Sequence, residues 1–326
     1  MKVLITGGAG FLGQRLAREL LARGSLKDAD GVAQTITELV LLDVVRGSDF
    51  GDSRVRVEVG DIAERSVLES VIDPDTAAIF HLAAIVSGQA EADFDLGMRI
   101  NLDASRLLLE TCRQRGHAPR VVFTSSVAVY GGALPDVVQD DTALNPQSSY
   151  GAQKAIAELL LNDYTRRGFV DGRVLRLPTI SVRPGKPNAA ASSFASGIIR
   201  EPLNGETAVC PVAGETRLWL LSPRKAIDSL IAGLELDAAA LGNRRVLNLP
   251  GLSVSVDEMV AALREVAGEA AVQRITWAPD ARVEKIVGSW PGRWDTSRAE
   301  QLGLAGERHF ADVIRSYIED ERIQLR

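Results

Sequence analysis

Tyr150 and Lys154 stand four residues apart, so on a helix both side chains rise from one face. A nearby ammonium favours tyrosinate and lowers the phenol pKa, which suits Tyr150 to proton transfer near neutral pH. Such a pair is also common on plain surface helices, so its surroundings must decide. Far upstream, Gly7, Gly10 and Gly13 sit in GGAGFLG, directly after an apolar run and opening a helical pattern. There the backbone must turn tightly and approach a phosphate closely. The amides around Phe11 and Leu12, at the positive end of a helix, suit a pyrophosphate. A glycine-rich turn with no ligand is the alternative, and the strand-to-helix placement disfavours it. Asp43 closes the second apolar run. A carboxylate there takes the adenine-ribose hydroxyls and repels a 2′-phosphate, favouring NAD, although nearby Arg46 keeps NADP open. Asp61, followed by Ile62, either meets the adenine ring or caps a helix.

The elements that must position these groups alternate along the chain. Val3–Ile5, Leu39–Leu42, Val55–Val59, Ala77–Leu82, Val121–Phe123 and Val174–Leu177 read as strands. Phe11 to Gly24, Ile100 to Arg115 and Tyr150 to Arg167 read as helices. Leu107, Leu108 and Cys112 mark the inner face of the second helix; Ile156, Leu159, Leu160 and Tyr164 mark one side of the third. Five or more βα units in series predict an α/β fold with a parallel, doubly wound sheet and ligands at the strand carboxyl ends. The polar segment from Gly24 to Thr37 reads as an insertion forming a surface loop. After Pro178 the rhythm changes. Residues 1–178 are expected to form the nucleotide domain and 179–326 a smaller α/β lobe, partly interwoven with it. In that lobe Ser192 to Arg200 reads as a helix. Ser222-Pro223 reads as a helix start. Ser255 with Glu258 forms a capping-box pattern, with Gly268 past the end.

Composition sets outer bounds. The chain has 326 residues, 46% hydrophobic and 25% charged, with net charge −6. That excludes a disordered or disulfide-stapled chain and argues against general binding to nucleic acid or an anionic membrane. No apolar run approaches the roughly 20 residues needed to span a bilayer. The first residues read as a strand rather than a signal peptide. Cys112 and Cys210 read as reduced thiols, so a cytoplasmic location is expected. His81, His117 and His309 are scattered and neither cysteine has a ligand-spaced partner, so no metal is expected.

In combination, GGAGFLG, HLAA (His81 to Ala84), SSVAVYG (Ser125 to Gly131), YGAQK (Tyr150 to Lys154) and the segment from Gly292 to Gly303 resemble the extended short-chain dehydrogenase/reductase family. The resemblance covers nearly the whole chain. It implies an NAD-binding Rossmann domain with a small substrate lobe, and Ser126, Tyr150 and Lys154 as the catalytic set. Leu82, Ala83, Ala84, Asn101 and Pro178 would flank the cofactor, with Asn101 mainly structural. Thr179 would face the substrate. Tyrosinate would take the alcohol proton, Ser126 would fix the same oxygen, and Lys154 would hold the nicotinamide ribose. A homodimer built on the two long helices, Ile100 to Arg115 and Tyr150 to Arg167, is also implied.

Many extended members act on nucleotide sugars. The acidic stretch usual in their second half is replaced here by Arg217 to Ala226, RLWLLSPRKA. That segment, with RLPTISVRPGKPN (Arg176 to Asn188) and REPLNGE (Arg200 to Glu206), is similar to a narrower branch, the D-erythronate dehydrogenases. The branch implies NAD-dependent oxidation of the C2 hydroxyl of a short sugar acid. Its carboxylate needs a cation. Arg183, Lys186, Arg217 and Arg224 are candidates, and Ser87 and Thr179 could hold hydroxyls. A nucleotide-sugar 4-epimerase with tightly held NAD is the alternative, since the same cations suit a diphosphate. Dehydration is disfavoured, because Ser126-Val127-Ala128 lacks the Asp-Glu pair of dehydratase sites. A non-enzymatic NAD-binding regulator is disfavoured because the tyrosine and lysine are both kept.

Overall fold

The computed structural model describes residues 1–187 and 190–325. The apolar runs form one sheet. Its strands are β1 Lys2–Thr6, β2 Glu38–Asp43, β3 Val55–Val59, β4 Thr76–His81, β5 Arg120–Ser126, β6 Asp171–Leu177 and β7 Val246–Asn248. All pairs are parallel, in the order β7-β6-β5-β4-β1-β2-β3. The order reverses between β1 and β4, the place where doubly wound sheets open a crevice for ligands. The central strands are buried on both faces, which is why they read as continuous runs rather than alternations. One core, around Val3, Ile5, Leu16, Phe80 and Leu175, fills one face. Another, around Leu4, Ile79, Leu108, Val121 and Leu161, fills the opposite one.

Three helices matter most for the site: α1 Phe11–Arg23, α2 Ala104–Arg115 and α3 Ser149–Arg166. Gly13 lets α1 pack on the sheet. A Cβ there would stand 2.2 Å from the Gly7 carbonyl oxygen, so no other residue keeps this contact. A wider π-turn, Met98–Asp103, leads into α2, where the sequence pattern reads as one helix from Ile100.

The second half returns to the sheet before forming its own core. Ser222 caps the helix Pro223–Glu235 by accepting from the Lys225 N–H at 3.0 Å, and β7 then joins β6. A separate core around Ile198, Leu218, Met259 and Ile314 gathers Phe194–Leu203, Val256–Ala267 and Phe310–Glu321. It packs on a small sheet of Thr179–Ile180, Arg217–Leu221 and Leu252–Ser255. The capping box of Ser255 and Glu258 forms as its pattern predicts. Trp219 stacks on Trp294 with ring centroids 5.7 Å apart, and Trp294 meets Tyr130 edge-on. Among the described residues no helix is long and apolar enough to cross a membrane.

One expectation is corrected. The segment from Gly24 to Thr37 is a hairpin of Ser25–Lys27 and Ala33–Thr35, not a loop. Its turn is tied by Asp28, which accepts from the Asp30 and Val32 N–H groups and from Gln34. Leu26 and Ile36 anchor it in the core. On α3 the buried face carries Lys154, Ala157, Glu158 and Leu161, whereas Ile156 and Leu159 are 42% and 67% exposed. The apolar side marked by Ile156, Leu159, Leu160 and Tyr164 is thus partly open to solvent, and the inward face is partly ionic.

Candidate active site

The strand ends converge on a two-part groove. One part, a cavity of about 420 Å³, runs from the glycine turn to the second lobe, a size suited to a small ligand. Gly7, Gly10, Phe11, Leu12 and Gly13 form one end. Leu82 and Ala84 follow from the end of β4. Ser126, Tyr150 and Lys154 occupy the middle, and Ser87, Pro178, Thr179 and Arg183 lie toward the far end. The adjoining part, about 380 Å³, is walled by Asp43, Asp61, Ile62 and Ala83 and shares Gly7 and Gly10 with the first. The catalytic, cofactor and substrate candidates named above line the groove, except Asn101 and three of the four candidate cations, Lys186, Arg217 and Arg224.

Asn101 is a clamp behind the wall. Its side chain accepts from the Ile85 N–H at 2.8 Å and donates to the Ile85 carbonyl at 3.1 Å and to Gln153 at 2.8 Å. It thus fixes the turn after β4 and ties it to α3. A directional chain supports the same turn. The Ala83 N–H donates to Thr6 Oγ1, Thr6 donates to His81 Nδ1 at 2.7 Å, and His81 Nε2–H donates to Ser105, which donates to the Asn101 carbonyl. Ser105 already spends its proton on that carbonyl, so the tautomer follows. Burial pushes His81 down to about 3, so it stays neutral.

The residues present fit a dinucleotide. The N-cap of α1, Gly10, brings no side-chain cap, so the first-turn N–H groups face the groove without an internal partner. Asp43 is set at its rim by the Ala9 N–H, which donates to Oδ2 at 3.0 Å. Arg46 is exposed and lines neither part. Asp61 is not the cap of the following helix, whose N-cap is Glu64. It accepts from the Ala63 N–H in the turn before that helix, pairs with Arg99 at 2.6 Å and lines the groove.

Close backbone contact brings Tyr150 to Ser126. A Cβ on Gly151 would stand 2.0 Å from the Ala128 carbonyl oxygen, so glycine lets the start of α3 sit directly on the turn after β5. Ser126 and Tyr150 share the cavity wall, and the Ser126 side chain lowers the phenol pKa. Lys154 Nζ donates to the Thr124 carbonyl at 2.9 Å, 4.6 Å from the Phe123 ring centroid and 5.8 Å from that of Tyr150. Burial pushes the Tyr150 phenol up to about 12, against lowering contributions from Ser126 and the Arg183 charge. This corrects the expectation that Lys154 depresses the phenol: the cation acting on Tyr150 is Arg183. Burial also takes Lys154 down to about 7.

Of the four cations considered, Arg183 lines the cavity. Arg217 pairs with Glu258, Arg224 pairs with Glu319 and Asp320, and Lys186 is exposed. The Arg183 backbone is pinned by Ser196 and Arg200. Sequence reasoning missed Ser192 and Trp290, which also line this end. A serine pair before a helix is a weak signal, and nothing in the order of residues places Trp290 beside Tyr150. Asn188, inside the stretch used for the branch resemblance, lies outside the described residues.

The fold is a doubly wound parallel sheet, with Ser126, Tyr150 and Lys154 together on the wall of a cavity at its strand ends. Residues 3–220 match the model of the NAD dependent epimerase/dehydratase family, and the chain belongs to that family. It is 68% identical over 320 residues to D-erythronate dehydrogenase of Cupriavidus necator, spanning 98% of each chain. It is 49% identical to D-erythronate dehydrogenase of Haemophilus influenzae over 98% of this chain and 99% of that one. A crystal structure described as the nucleoside-diphosphate-sugar epimerase from Agrobacterium tumefaciens superposes with a TM-score of 0.93 at 45% identity, covering 100% of this chain and 96% of that one.

Proposed function

We propose that this chain is an NAD-dependent dehydrogenase that oxidises the C2 hydroxyl of D-erythronate to 2-oxo-D-erythronate. The 68% identity with D-erythronate dehydrogenase across 98% of both chains carries the choice of substrate. The placing of Arg183 in one cavity with Ser126, Tyr150 and Lys154 supports it. When bound, the nicotinamide supplies the hydride acceptor. The glycine turn and the open amides of α1 would hold the diphosphate. Asp43 would take the adenine-ribose hydroxyls, Asp61, Ile62 and Ala83 would border the adenine, and Pro178 the nicotinamide.

Each remaining role follows from chemistry on the cavity wall. Tyr150 takes the proton of the C2 hydroxyl, and Ser126 hydrogen-bonds the same oxygen and fixes it. Lys154 holds the ribose beside them. The Arg183 guanidinium forks onto the carboxylate, where a planar cation binds both oxygens. Ser87 and Thr179 serve the remaining hydroxyls. Because burial raises the phenol, oxidation should quicken as pH rises above neutral, where more tyrosinate forms. We divide the chain at Pro178 into a cofactor domain and a substrate lobe, with β7 returning to the first. We also propose a homodimer through α2 and α3, supported by the exposed Ile156 and Leu159, and a cytoplasmic location, supported by the two free buried thiols.

The test is NADH absorbance on mixing protein and NAD with C4 sugar acids, D-erythronate and L-threonate among them. Stoichiometric NADH with D-erythronate is expected. Interconversion of a nucleotide sugar without net NADH would overturn the reading in favour of an epimerase.

A further inference from the structure

We propose that Glu158 is a further positioning residue of this site: its carboxylate, fixed by Arg176 and Ser125 one helical turn beyond Lys154, keeps the lysine ammonium protonated and directed at the Thr124 carbonyl. The inference rests on the role proposed above for Lys154, and its test needs no substrate.

The geometry is that of a braced anion. Glu158 and Arg176 are 1% and 3% exposed. Arg176 Nη2 donates to Glu158 Oε2 at 2.7 Å and Nε to Oε1 at 3.0 Å, a two-point fork. The Ser125 hydroxyl donates to Glu158 Oε1. Arg176 is held in turn, its Nη1 donating to Tyr130 Oη at 2.6 Å and to the Asp140 carbonyl at 2.8 Å. Tyr130 donates to Asn248 Oδ1 at 2.8 Å. The carboxylate therefore cannot swing away from the lysine side of α3. Residues four apart on a helix are neighbours, so the Glu158 charge falls on Lys154.

The other groups around Lys154 do not replace it. From α3 the second neighbour is Tyr150, whose phenol is protonated. From β4 comes His81, neutral in its hydrogen-bond chain. From β5 come the Phe123 ring, the Thr124 carbonyl and the Ser125 hydroxyl, none of them charged. From β6 comes Arg176, a cation, which by its sign disfavours the ammonium and cannot replace the carboxylate. Arg183 faces Tyr150. Among the described residues, Glu158 is thus the anion that bears on Lys154. Burial lowers the lysine while Glu158 opposes that shift. A buried ammonium without this support would release its proton.

Glu158→Gln alone would leave Arg176 buried and unpaired, so the variant to make is Glu158→Gln with Arg176→Gln. If that pair folds too weakly, Glu158→Gln with Arg176→Met carries the same test, filling the vacated volume with an apolar chain. The readout is NMR of the full-length protein with lysine carrying 13C at Cε. Six lysines give six signals, and Lys154→Met identifies the one that matters. The neutral pair should move the Lys154 titration midpoint down by about one pH unit or more, roughly tenfold in the protonated fraction. Glu158→Asp, which keeps the charge, should hold the midpoint near that of the unaltered protein. A purely structural role for the pair would change thermal stability and leave the midpoint where it was. An unchanged midpoint in the neutral pair, or an equal fall in Glu158→Asp, would overturn the proposal.

Discussion

Tyr150 sits in a position where one atom decides the chemistry. Its hydroxyl is the group proposed to move the proton, so Tyr150→Phe would remove that function and keep the ring. Turnover should fall by about 10²–10⁴-fold, with the NAD dissociation constant unchanged within twofold by direct titration. Retention of most of the turnover would refute the role. Asp43 offers a second test at this scale. Its carboxylate is anchored by the Ala9 amide, and hydrogen bonds to a charged group are worth about 1.5–3 kcal/mol. Asp43→Ala should therefore raise the KM for NAD by about 10–100-fold and narrow the gap to NADP. Comparing kcat/KM for both cofactors reads this directly. Glycines, Asp43 and the Tyr–Lys pair were legible in the sequence because close backbone approach and helical spacing are local demands. Trp290 and Ser192 were not, since packing of the second lobe alone carries them to the cavity.

At the scale of elements, the site depends on how closely α1 and α3 approach the sheet. Gly13→Ala would drive a methyl into the Gly7 carbonyl. The helix would have to shift, an overpacking that typically costs 1–3 kcal/mol. A lower urea midpoint together with weaker NAD binding is expected. Wild-type affinity in a stable variant would show that α1 tolerates displacement. His81, at the end of β4, couples β1 to α2 through its two hydrogen bonds, to Thr6 and to Ser105. Its pKa is depressed to about 3 in the fold and near 6.5 when unfolded, so the unfolded chain binds the extra proton between those values. Stability from this group is full above about pH 6.5 and is lost as pH falls toward 3, by about 1.4 kcal/mol per unit. His81→Gln should flatten that part of the stability curve in denaturant titrations, and an unchanged slope would assign the acid loss to carboxylates instead. The strands and most helices were legible from burial patterns. The hairpin after α1 was missed because its two strands are three residues each, too short for alternation to register. The buried ion pair on α3 was not legible, because only the fold brings Arg176 of β6 against Glu158.

The whole molecule exposes apolar surface on the outer side of α3. Leu159 is 67% exposed, unusual for a leucine in the middle of a long helix and consistent with the proposed dimer. Light scattering should give twice the chain mass for the native protein and a shift toward the single chain for Leu159→Asp. A native protein that runs as a single chain at working concentration would exclude that assembly. The return of the second half to the central sheet was not legible in detail, because β7 is three residues long and pairs with a strand about seventy positions earlier, a distance no local pattern reports.

The aromatic stack between the halves has a spectroscopic consequence. The chain has four tryptophans. Trp219 and Trp294 are stacked and nearly sealed from water, and Trp290 borders the cavity that holds Tyr150. Trp277 stands apart, 46% exposed on a short edge strand. Emission from the unmodified protein is thus divided into a blue-shifted, iodide-protected population beside the catalytic cleft and a red-shifted, quenchable one remote from it. Reduced nicotinamide absorbs where tryptophan emits, so the first population becomes an energy-transfer donor to the product. Release of that product can then be followed in real time without a label.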